Sequence, residues 1–533
     1  MRDVIIIGGG HNGLVAAAFL AKAGLRPLVL ERSDRIGGCA ITSGIAPGYR
    51  CPTLAHRAAL DVRIIRALAL RRHGLEIVAP AARVCAPVPD GRALTLWSDP
   101  GPAAQSVAAF SKRDADRYRP FLASVAAVCG VLRRVQALPP PLMDRLTAGG
   151  FIDLLETACR FRALSQADAH RLLRWLPMSA ADFVREWFES EPLCATVAAG
   201  GTLGAFLGPR SGASAGVLLW LAAGEGHPIA PGWTARGGIG AVSEALAGAA
   251  QRAGAEIRIG ADVRQIVVRD GAADGVVLET GERITARLVV SNADPTRTLL
   301  GLVGPEHLPT AFVQAVQSIR MRGTLAKVNY AVSALPHFSG VDVSEQPAAL
   351  SGCVRLCPDI DALERAFDAA KYGEYGRDPW IELAIPSILD PTLAPAGQHV
   401  VSAYVQFAPQ QLRGTTWEHE RERFADVATS AIARYAPGFE RLVLARQIIS
   451  PLDLERTYAL TGAQIFHGEI ALDQLWAARP VLGWARYQTP IRNLFLCSAG
   501  THPGGGLDGR SGALASQVVI KAARASIWRR RRP

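Results

Sequence analysis

The chain opens on four apolar residues, Val4 to Ile7, that run straight into Gly8-Gly9-Gly10-His11-Asn12-Gly13. Few folds accept such a junction. The apolar run is short and closed by glycine, which predicts a fully buried strand. Gly8, Gly10 and Gly13 have the spacing of a dinucleotide-binding turn. The first permits the tight turn, the second lets the backbone approach a pyrophosphate, and the third lets helix and strand pack closely. Leu14 to Ala23 reads as an Ala-rich helix with its positive end towards the phosphates, closed by Gly24. Leu28 to Leu30 reads as the second strand and ends in Glu31, about 18 residues beyond Gly13. A carboxylate there accepts hydrogen bonds from a ribose diol and repels a 2′-phosphate, which argues against NADP. Asn12 and His11 lie inside the turn. His11 is either a residue tolerated in a tight loop or a polar contact to the ligand.

The next residues, ERSDRIGGCAIT, place Arg32, Arg35, the pair Gly37–Gly38, Cys39 and Ala40 directly after the ribose-binding acid. This resembles the extended motif of the flavoprotein superfamily that includes amine oxidases and carotenoid desaturases. The resemblance implies FAD as the dinucleotide, with the double glycine letting the chain pass close to its ribityl–pyrophosphate region. An FAD site of this kind is assembled from distant segments, and two more segments qualify. In the first, Gly237, Gly238 and Gly240 open a helix. Strands are expected at Glu256 to Ile259, Val263 to Arg269, Val276 to Glu279 and Ile284 to Val290, with a turn at Gly271 to Gly275. In the flavoproteins it resembles, the residue at Val263 contacts adenine, and Asn292, Ala293 and Asp294 lie near the cofactor. The second segment is a strand, Leu494 to Cys497, followed by a glycine-rich loop and a small-residue helix starting at Gly512. Gly500, Thr501, Gly506 and Leu507 are its candidate contacts. A second GxGxxG for NADPH and a CxxxxC after the double glycine are both missing, which argues against a disulfide reductase.

DFVREWFESEPL (182–193), IFHGEIALDQLWAARP (465–480) and SAGTHPGGG (498–506) extend the likeness over essentially the whole chain. With the N-terminal fingerprint they resemble the phytoene-desaturase-like flavoproteins. Within these they are most similar to the subgroup called pyridine nucleotide-disulfide oxidoreductase domain-containing protein 2. The implied fold is α/β: a Rossmann-type FAD/NAD(P)-binding domain of the amine-oxidase and carotenoid-desaturase kind, with an inserted α+β substrate domain. The expected division assigns 1–75, 231–300 and 481–533 to the FAD-binding domain, the last with a basic tail. It assigns 76–230 (largely helical) and 301–480 to the substrate domain.

At 533 residues the chain is too long for one compact core. No apolar run approaches the ~20 residues of a membrane span. No charged segment precedes the short N-terminal apolar stretch, so a cytoplasmic enzyme is expected. The net charge is +11, with arginine far outnumbering lysine, but no nucleic-acid motif accompanies it. The basic run Arg529 to Arg532 is either a solvated terminus or a weak peripheral contact with an anionic membrane. The nine cysteines are scattered without a CxxC, so no metal site is expected and most are read as buried thiols.

Three residues are candidate catalytic groups. Lys327, in LAKVNYAVSALPHF, sits among apolar residues. It is either an exposed lysine at a strand start or, by likeness to amine oxidases, a lysine holding water against flavin N5. Beside a flavin its pKa is expected to fall, so that it can handle protons. His467 and Glu469 alternate in a way that suits one strand face. His502 lies inside the C-terminal glycine loop. Phe183, Trp187 and Phe188 read as core, and FIDLLETACRFRALS (151–165) as helix. RAALDVRIIRALALRR (57–72) reads as an amphipathic surface helix or a membrane-facing entry for a lipid-like substrate.

The expected function is a FAD-dependent oxidoreductase of the dehydrogenase or desaturase type. Hydride passes from a C–H bond of an apolar, polyene or lipid-like substrate to flavin N5. The electron acceptor, O₂ or a quinone, and the oligomeric state stay open. Three alternatives remain: a redox-neutral cis–trans isomerase, a flavin amine oxidase, and a non-enzymatic flavin-containing interaction protein. Glycines 504–506 in the C-terminal loop, where amine oxidases usually carry an aromatic residue, suit a flat or elongated substrate better than a small amine.

Overall fold

The computed structural model describes residues 2–141, 155, 157–227, 229 and 233–530. Parts of FIDLLETACRFRALS (151–154 and 156) and of the basic tail (Arg531 and Arg532) lie outside the described residues.

The N-terminal apolar run forms the strand Arg2–Ile7, central in a seven-stranded sheet. Its parallel neighbours are Pro27–Leu30 and Arg283–Ser291, and beyond these lie Glu256–Arg258 and Leu494–Leu496. Because side chains alternate along a strand, Val4 and Ile6 pack towards one face with Leu14, Val15 and Leu246. Ile5 and Ile7 pack towards the other with Val289, Leu299 and Leu302. Burial on both faces explains why the run is continuous rather than alternating. The strand Arg283–Ser291 does double duty. Its first half pairs antiparallel with Ala272–Leu278, and its second half pairs parallel with the N-terminal and C-terminal strands. The chain turns at Asp270–Gly271, and Ala272 to Gly275 already belong to a strand, where a turn over Gly271 to Gly275 was expected.

The first face is covered by His11–Lys22, Gly240–Arg252 and Arg510–Arg530. The first of these begins at His11, three residues before the expected start. Its alanines let the three helices approach closely. At the crossing with the C-terminal helix a Cβ on Gly512 would collide with the Asn12 carbonyl oxygen.

A second seven-stranded sheet runs in the order Val443–Ile449, Leu325–Val332, His399–Gln406, Ile381–Ala384, Cys353–Leu356, Ala82–Pro87, Ala93–Trp97. Val328, Tyr330 and Val332 face the helix Trp417–Ala433 through Phe424 and Ala428. The opposite side chains of the same strands face the interior of the molecule. Helices Pro100–Ala108, Lys112–Gln136, Gln166–Trp175, Ala180–Arg185, Glu191–Ala198 and Ser214–Glu225 build the rest of this half. Phe121, Trp175, Phe183 and Phe188 form its aromatic core, with Trp187 packed against it, as expected.

RAALDVRIIRALALRR is not one helix. It forms Val62–Ala67 and the single turn Leu70–His73. Ile64, Ile65, Leu68 and Leu70 are buried in the core of the first half, while Arg63, Arg66, Arg71 and Arg72 are exposed together with Val62 and Ala67. Most of the apolar face expected to be free is thus spent on the core. Among the described residues no helix is long and apolar enough to cross one.

Candidate active site

The strands of the first sheet end at Ile7, Leu30 and Ser291 on one side, where α/β sheets bind ligands. One cavity begins there and continues to the second sheet. It encloses about 1940 Å³ of atom-free space, its mouth included. Its lining comes from both sheets, so a molecule held at the first sheet and one held against the second share the same space.

The wall at the first sheet is built from the predicted segments. Gly8, Gly10, His11, Asn12, Glu31, Arg32, Gly38, Cys39, Val263, Asn292, Ala293, Asp294, Gly506 and Leu507 all line the cavity. Gly37, with φ +120°, donates its N–H to Gly9 O at 2.9 Å and so binds the double glycine to the first loop. Glu31 accepts hydrogen bonds from Gly9 N at 2.7 Å and Ser33 N at 2.9 Å. Asn292 closes the loop from the third strand: a Cβ on Gly10 would lie 2.9 Å from its Nδ2, and one on Gly13 would meet the Gly8 carbonyl oxygen. Gly13 is thus a packing residue behind the wall. Asn12 Oδ1 accepts from Gly512 N at 3.2 Å, joining the first loop to the C-terminal helix.

Other predicted residues are not brought to the cavity. Arg35 is on the surface, paired with Asp34 at 3.1 Å. Ala40 is buried behind Cys39, its carbonyl oxygen accepting from Ser243 Oγ at 2.8 Å. Gly500 packs on Pro295, and Thr501 Oγ1 turns back to Ser498 O at 2.8 Å. His502 corrects a catalytic expectation. It is fully buried, its Nε2 lies 3.2 Å from Val135 O, and its carbonyl oxygen accepts from Tyr487 and Ser511. Burial lowers its pKa to about 3. It braces the C-terminal loop against the helix Lys112–Gln136 and does not face the cavity.

His467 lines the cavity, but the strand face shared with Glu469 does not exist. His467 has φ 58° in an irregular segment, and Glu469 points away to Arg320 and Arg322 at 3.1 and 2.6 Å. Arg479, fully enclosed, holds this segment. Its guanidinium donates to the carbonyl oxygens of Phe466, Gly468, Glu469 and Ala499. His11 and His467 face the cavity together. Burial and their mutual proximity hold His11 down at about 3, and burial lowers His467 also. Each keeps one ring nitrogen, Nε2 and Nδ1 respectively, without a protein partner. Neutral imidazoles with spare nitrogens beside a glycine-lined cradle fit a polar cofactor with many hydrogen-bonding atoms.

The second sheet supplies the far wall through one row of directly opposed residues. Lys327 pairs with Tyr404, Tyr404 with Glu382, and Glu382 with Arg355. All four therefore share one face. Lys327 is 1% exposed rather than at a solvated strand start. Its Nζ donates to Leu54 O and lies 4.7 Å from the Tyr404 ring centroid. Burial lowers its pKa from 10.5 to about 7, opposed slightly by Cys51 and Cys39. Those thiols are themselves pushed up to about 12 by burial, so they are not thiolate nucleophiles. Glu382 is gripped by Arg355 at 2.9 Å, Arg57 at 3.2 Å and His56 at 3.4 Å. The charges on Arg57 and Arg355 hold its carboxyl well below the usual range. Sequence reasoning found Lys327 and missed Arg57, Arg355, Glu382 and Tyr404. The available signal was the same for Arg355 and Glu382: one charge inside an apolar strand, CVRLC and WIELA.

Comparison with known proteins decides the family. The NAD(P)-binding Rossmann-like domain matches residues 6–63, and the family described as flavin containing amine oxidoreductase matches residues 130–520. The chain belongs to the flavin-containing amine oxidoreductase family. Within that family it is 37% identical over 544 residues to pyridine nucleotide-disulfide oxidoreductase domain-containing protein 2 of Rattus norvegicus, covering 97% of this chain and 93% of the relative. It is 26% identical over 522 residues to phytoene desaturase (lycopene-forming) of Pseudescherichia vulneris, with 96% of each covered. A solved structure of putrescine oxidase matches with TM-score 0.62 at 17% identity, over 98% of this chain and 99% of that one. This last likeness concerns the fold. The expected superfamily and subgroup hold: this family member is a FAD-dependent oxidoreductase.

Proposed function

We propose that the protein is a dehydrogenase or desaturase of an apolar, polyene- or lipid-like small molecule. The observation that carries this reading is Lys327, its pKa lowered by burial to about 7, on the floor of a cavity that Leu203, Leu218, Leu221, Ile465 and Phe466 line on its apolar side and Arg57, Glu225 and Arg355 on its charged side. FAD when bound supplies a hydride acceptor at N5. The glycine loop and Asn12 are assigned to its pyrophosphate, Glu31 to the ribose diol, Val263 to the adenine end, and Gly506 with Leu507 to the flavin end. His11 and His467 are assigned hydrogen bonds to the same cofactor. The apolar walls hold the substrate chain and exclude water. Neutral Lys327 takes the proton from the carbon next to the one that loses hydride, so the two C–H bonds become one C=C bond. With FAD bound, O₂ or a quinone would take up the two electrons.

The test is anaerobic reduction of the visible flavin band by a panel of apolar polyenes, lipids and amines, with product double bonds counted by mass. Loss of two hydrogens with flavin bleaching supports the reading. Isomerised substrate at constant mass, formed only with prereduced flavin, overturns it, as does a panel in which only amines bleach the flavin and release peroxide.

A further inference from the structure

Beneath the cavity floor Arg57 and Arg355 both pair with the carboxylate of Glu382, while a second carboxyl group, Glu225, acts on Arg57 only from a distance, with no direct ion pair among the described residues. Arg355 occupies one of its oxygens at 2.9 Å and spends Nη1 on Thr196 O at 2.5 Å. The third partner, His56, adds no compensating charge: burial holds it neutral, with a pKa of about 3. Arg57 is held more loosely, at 3.2 and 3.5 Å, and Glu382 is its one hydrogen-bonding side-chain partner among the described residues. Its side chain keeps 19% exposure and lines the main cavity. It also lines a second, smaller cavity of about 470 Å³ beside Arg83 and Trp233. A guanidinium that served only to neutralise Glu382 has no need to face two voids. Among the described residues only Nη1 of its nitrogens meets an acceptor side chain, which leaves most of a fork that matches a carboxylate. Glu225 also lines the main cavity, but it makes no hydrogen bond or ion pair among the described residues, so it leaves the donor fork of Arg57 open to a ligand.

From this geometry we infer that Arg57 is a carboxylate-binding subsite and that the substrate is an apolar molecule bearing one acid group. The inference rests on the apolar-substrate reading and narrows it. The acid anchors at Arg57, where the two cavities meet. The hydrocarbon part lies along Leu218, Leu221 and Ile465 towards Lys327, so Arg57 sets which carbon is presented to the flavin and the lysine.

The experiment titrates the FAD-loaded protein with octanoate and cinnamate, and with octanamide and cinnamamide, following the perturbation of the flavin spectrum. Each acid is expected to bind about tenfold or more tighter than its amide, as for a charge-assisted contact. Arg57→Met should erase that preference, Arg57→Lys should keep a reduced one, and Glu225→Gln should keep or strengthen it. Equal binding of acid and amide to the unmutated protein overturns the subsite while leaving the apolar-substrate reading standing. A preference that survives Arg57→Met also overturns it. If neither acids nor amides perturb the flavin, both readings fall. The acid–amide contrast in the unmutated protein needs no variant to fold.

Discussion

Lys327 shows what one residue's surroundings do to its chemistry. In water its ammonium stays charged until far above neutrality; in the strand Leu325–Val332, with both faces covered, desolvation brings the pKa to about 7. As a base it works only when neutral, so flavin reduction by substrate should rise with pH through about 7. Lys327→Met should flatten that profile and slow reduction by ~10²-fold or more, the usual range for loss of a general base. Stopped-flow traces across pH check both, and an unchanged rate removes Lys327 from the mechanism. Glu382 presents the opposite case, an acid kept ionised by two guanidiniums. Glu382→Ala leaves Arg355 and Arg57 buried without their counter-charge, and should cost about 3–5 kcal/mol of stability by chemical denaturation.

At the scale of elements, glycines separate into those that make the site and those that merely occupy a helix. Gly13 has no room for a Cβ between Gly8 O and Asn292. Gly13→Ala should force the first helix off the strand and abolish FAD retention through gel filtration, with a loss of up to about 3 kcal/mol. Gly130, inside Lys112–Gln136, would meet nothing within 4 Å. Gly130→Ala should raise stability by about 0.5–1 kcal/mol with FAD content unchanged. The strand–glycine–helix elements were legible because strand, glycine spacing and helix follow one another within about twenty residues, although Asn292 and Gly512 complete their packing from far along the chain. His467 and Glu469 were misread because alternation alone does not make a strand. Arg479, 12 residues further on, instead gathers that segment's carbonyl groups into an irregular loop.

The whole molecule encloses several neutral imidazoles. His56, packed against Glu382, and His502, packed against Val135, have folded pKa values of about 3 against 6.5 in the unfolded chain. Between these values the unfolded chain binds more protons, so stability falls as pH falls from about 6.5 towards 3. The depressed Glu382 adds to the loss at the acid end. Melting temperature should therefore drop steadily from about pH 7 to about pH 5, before the carboxylates titrate fully. A constant or rising value over that range contradicts the assignment of these histidines as neutral in the fold.

The sequence by itself determined the nucleotide-binding half. Its turn, its acidic strand end and its returning segments are each specified by neighbours in the chain, and glycine spacing records that directly. Only the tertiary structure decided the substrate half. Lys327, Tyr404, Glu382 and Arg355 come from four strands spread over 353–406 and 325–332, and they meet because antiparallel register sets them opposite one another. Arg57 reaches the same row from the first half of the chain. No local pattern encodes such a row, since the charge of each member is tolerated only through the burial and partners that the others supply.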